Sequence, residues 1–162
     1  AAMSPFTAWI MLKGMETLDI RMQAQSARAL ALAQWLQDHP VVARVHYPGL
    51  ASHPQHELAQ RQMDGPGSLI SFEVKGGVAA GTTLLDNVEL MTLAVSLGGI
   101  ETLIQHPSSM THAAMPRAQR LEAGITDGLV RLAVGCEDGD DLLADLTQAL
   151  EKVEVAEPVK VG

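Results

Sequence analysis

One arginine interrupts an otherwise apolar run. Arg131 stands in Leu129-Val130-Arg131-Leu132-Ala133-Val134, where every other side chain suits the inside of a sheet. A guanidinium does not discharge in a protein, so in such a run it must be paired or must reach water. Its planar fork matches a carboxylate through two parallel hydrogen bonds. Gripping the carboxylate of a ligand is therefore the chemistry this position offers. A structural pair with Glu137 or Glu101, or a place on a sheet edge, would satisfy the charge equally well. A second candidate is Ser96-Leu97-Gly98-Gly99, which follows an apolar run. Two glycines let a backbone turn sharply and come close to a ligand, and they serve an ordinary strand-to-loop turn just as well.

The remaining reactive types point to structure. His46, His53 and His56 are close in sequence, but Pro54 intervenes and no Cys or His-Glu-x-x-His pattern accompanies them. Capping and loop packing are expected there, with no metal site. Cys136, the single cysteine, precedes Glu137-Asp138, whose charges oppose a thiolate, so it is expected to be a small buried residue. Asp138, Asp140 and Asp141 fall where a helix would begin, and negative charge there suits the helix dipole.

The elements that must position these residues follow from periodicity. Ser4-Pro5 is a helix start, with a capping hydroxyl and then a proline whose fixed φ suits the first helical position. Residues 5–13 are apolar on nearly every side and are expected to be buried. A break or kink is expected near Gly14. Leu18, Met22, Ala29, Leu32, Ala33 and Leu36 give a second helix over 16–37, stopped by His39-Pro40. Strands are expected at 41–47, 68–74, 90–95, 102–105 and 129–134, and helices at 54–63, 77–85, 116–123 and 140–150. Together they predict an α+β fold: long N-terminal connecting helices over 1–38, then a domain over 39–150. That domain is expected to be a small, mostly antiparallel sheet with helices on one face, followed by a fraying tail at 151–162.

The composition narrows the class. The 162 residues suffice for one domain with a core, and 47% are apolar. No apolar run reaches the roughly 18 residues of a membrane helix, and AAMSPFTAWIMLKG has no basic region ahead of its apolar stretch, so no signal peptide is expected. Eleven Lys and Arg against nineteen Asp and Glu give a net charge of −8, which disfavours nucleic acid and anionic membrane as partners. One cysteine fits a reducing, cytoplasmic setting.

Four blocks taken together are more specific than any one of them. SPFTAWIMLKGMETLDIRM, VHYPGLASHPQHELAQRQM, AVSLGGIETLIQHPSSMTH and DGLVRLAVGCED stand in the order and spacing of the C-terminal region of the pyridoxal-phosphate (PLP) enzymes of Cys/Met metabolism. The chain resembles that transsulfuration family, which includes the cystathionine γ-synthases and lyases, methionine γ-lyases and homoserine-ester sulfhydrylases. The resemblance implies the smaller, C-terminal domain of a fold-type-I PLP enzyme. It implies γ-elimination or γ-replacement on a sulfur amino acid or homoserine ester, and a homotetramer built as a dimer of dimers. It also implies that Arg131 and Ser96 hold the substrate carboxylate, with a backbone contact at Leu97. The family's Schiff-base lysine lies in a Ser-x-x-Lys or Ser-x-Thr-Lys setting that none of Lys13, Lys75, Lys152 and Lys160 has. The cofactor lysine, phosphate cradle and pyridinium aspartate are therefore expected in an N-terminal PLP domain outside this chain, which alone is expected to be inactive and not to bind PLP covalently.

Two departures are local. Gly65-Pro66-Gly67 lacks the aromatic usual between those glycines, and Val95 replaces the glutamate of many cystathionine enzymes. The second implies a methionine γ-lyase or sulfhydrylase. The alternative from another class is a non-catalytic binding or assembly module that keeps the fold.

Overall fold

The computed structural model describes residues 2–154. Two helices lead into the domain, α1 (Pro5–Met15) and α2 (Leu18–Asp38). Ser4 caps α1, its Oγ accepting from the Thr7 N–H, with Pro5 in the first turn. The chain passes through Gly14 as helix and breaks two residues later, at Glu16-Thr17. A helical glycine costs about 1 kcal/mol and does not by itself end a helix. The Gly14 carbonyl at the break instead receives the Arg21 guanidinium at 2.8 Å.

The expectation that α1 is buried is not met. Its packing partner is α2, and Phe6 and Trp9 remain 68% and 55% exposed. The cause is its placement: α1 runs clear of the sheet, so its apolar side chains meet no second layer. By contrast α2 buries Gln25, Ala29, Leu32, Ala33 and Leu36, a stripe at helical spacing laid against the first two strands.

The domain then runs β1 (Val42–His46), α3 (His56–Gln62), β2 (Leu69–Val74), α4 (Gly77–Asp86), β3 (Thr92–Leu93), β4 (Leu103–Gln105), α5 (Arg117–Glu122), β5 (Leu129–Ala133) and α6 (Gly139–Leu150). The sheet order is β1-β2-β5-β4-β3, antiparallel except for the parallel pair β3–β4. Strand alternation divides the sheet. Ile70, Phe72, Val74, Ile104, Val130 and Leu132 point into the core with the buried stripes of α2, α4 and α6. Ser71, Arg131 and Gln105 share the opposite face.

Two elements differ from expectation in extent. Only Thr92–Leu93 of the expected 90–95 strand joins the sheet. The N–H groups of Glu89, Leu90 and Met91 go instead to the buried carboxylate of Asp145 on α6, at 2.8–3.0 Å. Residues 151–154 were assigned to a fraying tail, yet Val153 is buried against the core and its N–H bonds Leu150. Residues 155–162 lie outside the described part.

The Gly65-Pro66-Gly67 loop is held without the missing aromatic. The Tyr47 hydroxyl, fully buried, donates to the Gly67 carbonyl at 2.7 Å, and burial pushes its pKa up to about 12. A Cβ at Gly49 would stand 2.5 Å from the Tyr47 ring and 3.0 Å from Pro66, so only glycine lets ring and proline close on this turn.

Candidate functional site

The open face of the sheet presents a polar row. His46 on β1, Ser71 on β2, Arg131 on β5 and Gln105 on β4 are successive cross-strand partners. Arg131 sits at the centre, half-buried, and its Nη2 donates to the carbonyls of Val95 and Ser96, both at 2.8 Å. Those carbonyls are there because the chain leaves the sheet after β3. The Ala94 N–H still bonds Ile104, after which Val95 and Ser96 cross over β4 towards β5.

The turn that follows is fixed from below. Gly98 takes φ +83°, a left-handed conformation that a side chain would disfavour. The Gly99 carbonyl receives Nε2 of Gln25, a buried residue of α2, at 2.8 Å, and the Ile100 carbonyl receives the Cys136 N–H at 2.7 Å. Ser96 and Leu97 are exposed, and their N–H groups have no acceptor among the described residues. The structure thus brings Arg131 to the backbone of Val95 and Ser96, with no hydrogen bond to Leu97.

Of the acids that could have neutralised Arg131, Glu101 lies against Gly99 and forms no ion pair with that arginine, and the others are engaged elsewhere. Glu137 accepts the Thr102 N–H and hydroxyl. Glu73 is bonded by His46 and Thr126. Asp127 takes Arg117 and Arg120, and Asp145 caps three amides. Arg131 takes part in none of the ion pairs among the described residues. Burial pulls its pKa below the usual guanidinium value, yet it remains a cation at neutral pH. A half-buried cation facing out of a sheet has the chemistry to pair with an anion that carries more than one oxygen.

The family profile described as Cys/Met metabolism PLP-dependent enzyme matches residues 1–151. The chain belongs to that family. It is 52% identical over 153 residues to an L-methionine gamma-lyase of Fusobacterium nucleatum subsp. polymorphum, covering 94% of this chain and 39% of that protein. An O-succinylhomoserine sulfhydrylase of Pseudomonas aeruginosa is 51% identical over 148 residues, covering 91% of this chain and 37% of the relative. Among solved structures, the cystathionine gamma synthase of Xanthomonas oryzae pv. oryzae in complex with aminoacrylate and cysteine superposes with a TM-score of 0.85. That structure is 49% identical, and the match covers 93% of this chain and 39% of it. The chain therefore spans about two fifths of the relatives it matches.

The lysines of the described residues lie on other parts of the chain. Lys13 pairs with Glu16 on the surface of α1, and Lys75 donates to the Pro40 carbonyl. Neither stands at the Arg131 face, Lys152 is exposed in the turn that ends α6, and Lys160 lies outside the described residues. Among the described residues no group of three or more metal-ligating side chains occurs, and no helix is long and apolar enough to cross a membrane. Of the histidines, His56 bonds the Pro48 carbonyl, and His106 is fully buried between Ser109 and the Asp127 carbonyl.

Three residues that shape the site gave no usable signal beforehand: Gln25, Gln105 and Asp145. The two glutamines are neutral and read as ordinary polar positions. Asp145 left a trace, since it occupies a core position beside Leu142 and Leu146 on α6.

Proposed function

We propose that this chain is the region of a PLP-dependent transsulfuration-type enzyme that binds the substrate carboxylate. Its substrate would be a sulfur amino acid or homoserine ester that reacts by elimination or replacement at the γ-carbon. The observation that carries the reading is Arg131: among the described residues, a half-buried guanidinium with no carboxylate partner, bonded only to the carbonyls of Val95 and Ser96. A charged oxygen is a stronger acceptor than a carbonyl, so an arriving carboxylate displaces these two bonds and takes the guanidinium fork. The Ser96 hydroxyl on the same loop takes the second oxygen, because the N–H groups of Ser96 and Leu97 belong to the trans peptide units whose carbonyls face Arg131 and so point away from it. Two fixed points on the carboxylate set the rotation of the substrate about its α-carbon, which decides the bond that is presented for reaction.

PLP, when bound in such an enzyme, supplies an electron sink at the α-carbon. The cofactor-holding residues belong, on this proposal, to an N-terminal domain of the same polypeptide. The exposed apolar residues of α1, with Phe6, Trp9 and Leu12 among them, are what such a domain or a neighbouring subunit of a homo-oligomer would cover. Val95 in place of an acid next to Ser96 supports a methionine γ-lyase or sulfhydrylase, since a distal amino group would find no partner there. The amino-acid substrate class and the single cysteine support a cytoplasmic setting.

The test is Arg131→Ala in the complete enzyme. It should raise KM and lower kcat/KM for the amino acid on the order of 100- to 1000-fold, the cost of removing one partner of a desolvated charge pair. An unchanged kcat/KM would remove the assignment.

A further inference from the structure

Gln105 is 5% exposed, and its Oε1 is buried without a hydrogen-bond partner. Arg131 Nε is buried without one too. Buried polar atoms left unpaired are rare, and each calls for a reason. Here the two orphans are complementary, one an acceptor and the other a donor, and they sit on directly opposed residues of the antiparallel pair β4–β5, on the same face. The Arg131 Nη2 atom is meanwhile held by Val95 and Ser96, which turns the guanidinium towards the loop.

We propose that Gln105 is the positioning residue of the carboxylate anchor. When a substrate carboxylate draws the guanidinium off the two backbone carbonyls, Arg131 Nε–H swings onto Gln105 Oε1. That bond holds the plane of the fork and leaves both Nη groups to the ligand. The unpaired state of the free chain is then the resting half of a two-position arginine, and the glutamine supplies a neutral acceptor that does not cancel the charge the ligand needs. Ser71, the other cross-strand neighbour of Arg131, does not bond its Nε either.

The inference rests on Arg131 gripping a carboxylate, so the experiment separates the two. In the complete PLP-loaded enzyme, the dissociation constant of L-alanine, which carries the carboxylate and has no γ-leaving group, is measured together with substrate KM and kcat. Gln105→Leu should raise both the L-alanine constant and KM about tenfold, the loss of one charge-assisted hydrogen bond, with kcat changed less than about threefold. Gln105→Glu keeps an acceptor but sets a carboxylate against Arg131 that cancels its charge, so it should raise the L-alanine constant at least as much as Gln105→Leu. In an Arg131→Ala background, Gln105→Leu should add nothing. Gln105→Met replaces the leucine variant if that one does not fold. An unaltered L-alanine constant in Gln105→Leu, with a large rise in Arg131→Ala, overturns the positioning role and leaves the anchor standing. A full Gln105→Leu effect that persists without Arg131, or a glutamate variant that binds L-alanine as well as the parent, overturns it as well. No rise in Arg131→Ala itself removes the anchor and this inference with it.

Discussion

Two arginines in this chain occupy similar surroundings and have opposite fates. Arg120, 5% exposed at the corner between α5 and β5, donates to the Asp127 carboxylate and to the Ile125 carbonyl. Arg117 joins the same carboxylate from the surface. Hydrogen bonds from Arg117 and then Arg120 hold the Asp127 pKa down to about 2. Four residues after Asp127, Arg131 has carbonyl partners and no acid. The contrast separates two uses of one side chain. An arginine with its own carboxylate is part of the scaffold, whereas one that no acid among the described residues pairs with is kept in a state to bind a charge from outside.

Substitution should expose the difference. Arg120→Met removes a buried charge from a shared carboxylate and should lower Tm by about 6 °C or more, while Arg117→Ala, exposed on the same carboxylate, should cost about 1–2 °C. Arg131→Ala should leave Tm near the parent value, because no internal ion pair breaks, and lose its effect into substrate binding. If Arg131→Ala destabilised as much as Arg120→Met, both arginines would be structural and the comparison would fail. Thermal melts of the three variants decide it.

The smallest effect is in pH. Burial holds the His106 pKa below its ordinary value, so the folded chain keeps the ring neutral while the unfolded chain protonates it near 6.5. Its contribution is thus complete above about pH 6.5 and is lost as the pH falls below that, where the unfolded state binds the extra proton. The contribution of Asp127 persists well below this range and is lost only between about pH 4 and 2. Melts between pH 8 and 5 should show a decline that His106→Gln flattens, and activity per folded molecule should not follow the same curve. An equal slope in parent and variant would assign the decline to other groups.

How much of this was legible in the sequence depends on how many tertiary partners each residue needs. Arg131 was visible because a single charge breaks an apolar strand, which is a local irregularity. Whether that charge had an internal partner was not visible, because the answer lies in where Glu137 and Glu73 turn, to Thr102 just before β4 and to His46 on β1. The strands and the long amphipathic helix α2 followed from period alone. The extent of β3 did not, since Asp145 on α6, more than fifty residues away, takes the amides that a longer strand would have used. The break after α1 was misplaced by two residues for a similar reason: a glycine marks weakness, but the Arg21 side chain settles where the freed carbonyl is satisfied. Gln105 was invisible, because a neutral amide in a short apolar strand carries no sign of what stands opposite.

The most direct measurement compares an amino acid with its own amide. In the complete enzyme, a substrate analogue with a free α-carboxylate and the same analogue as the α-carboxamide differ only in the group Arg131 is held to recognise. The parent enzyme should bind the carboxylate on the order of 100-fold more tightly than the amide, and Arg131→Ala should bind the two about equally. A preference for the acid that survives intact in Arg131→Ala would mean that another group reads the carboxylate, and that the unpaired guanidinium at the centre of the sheet has a different purpose.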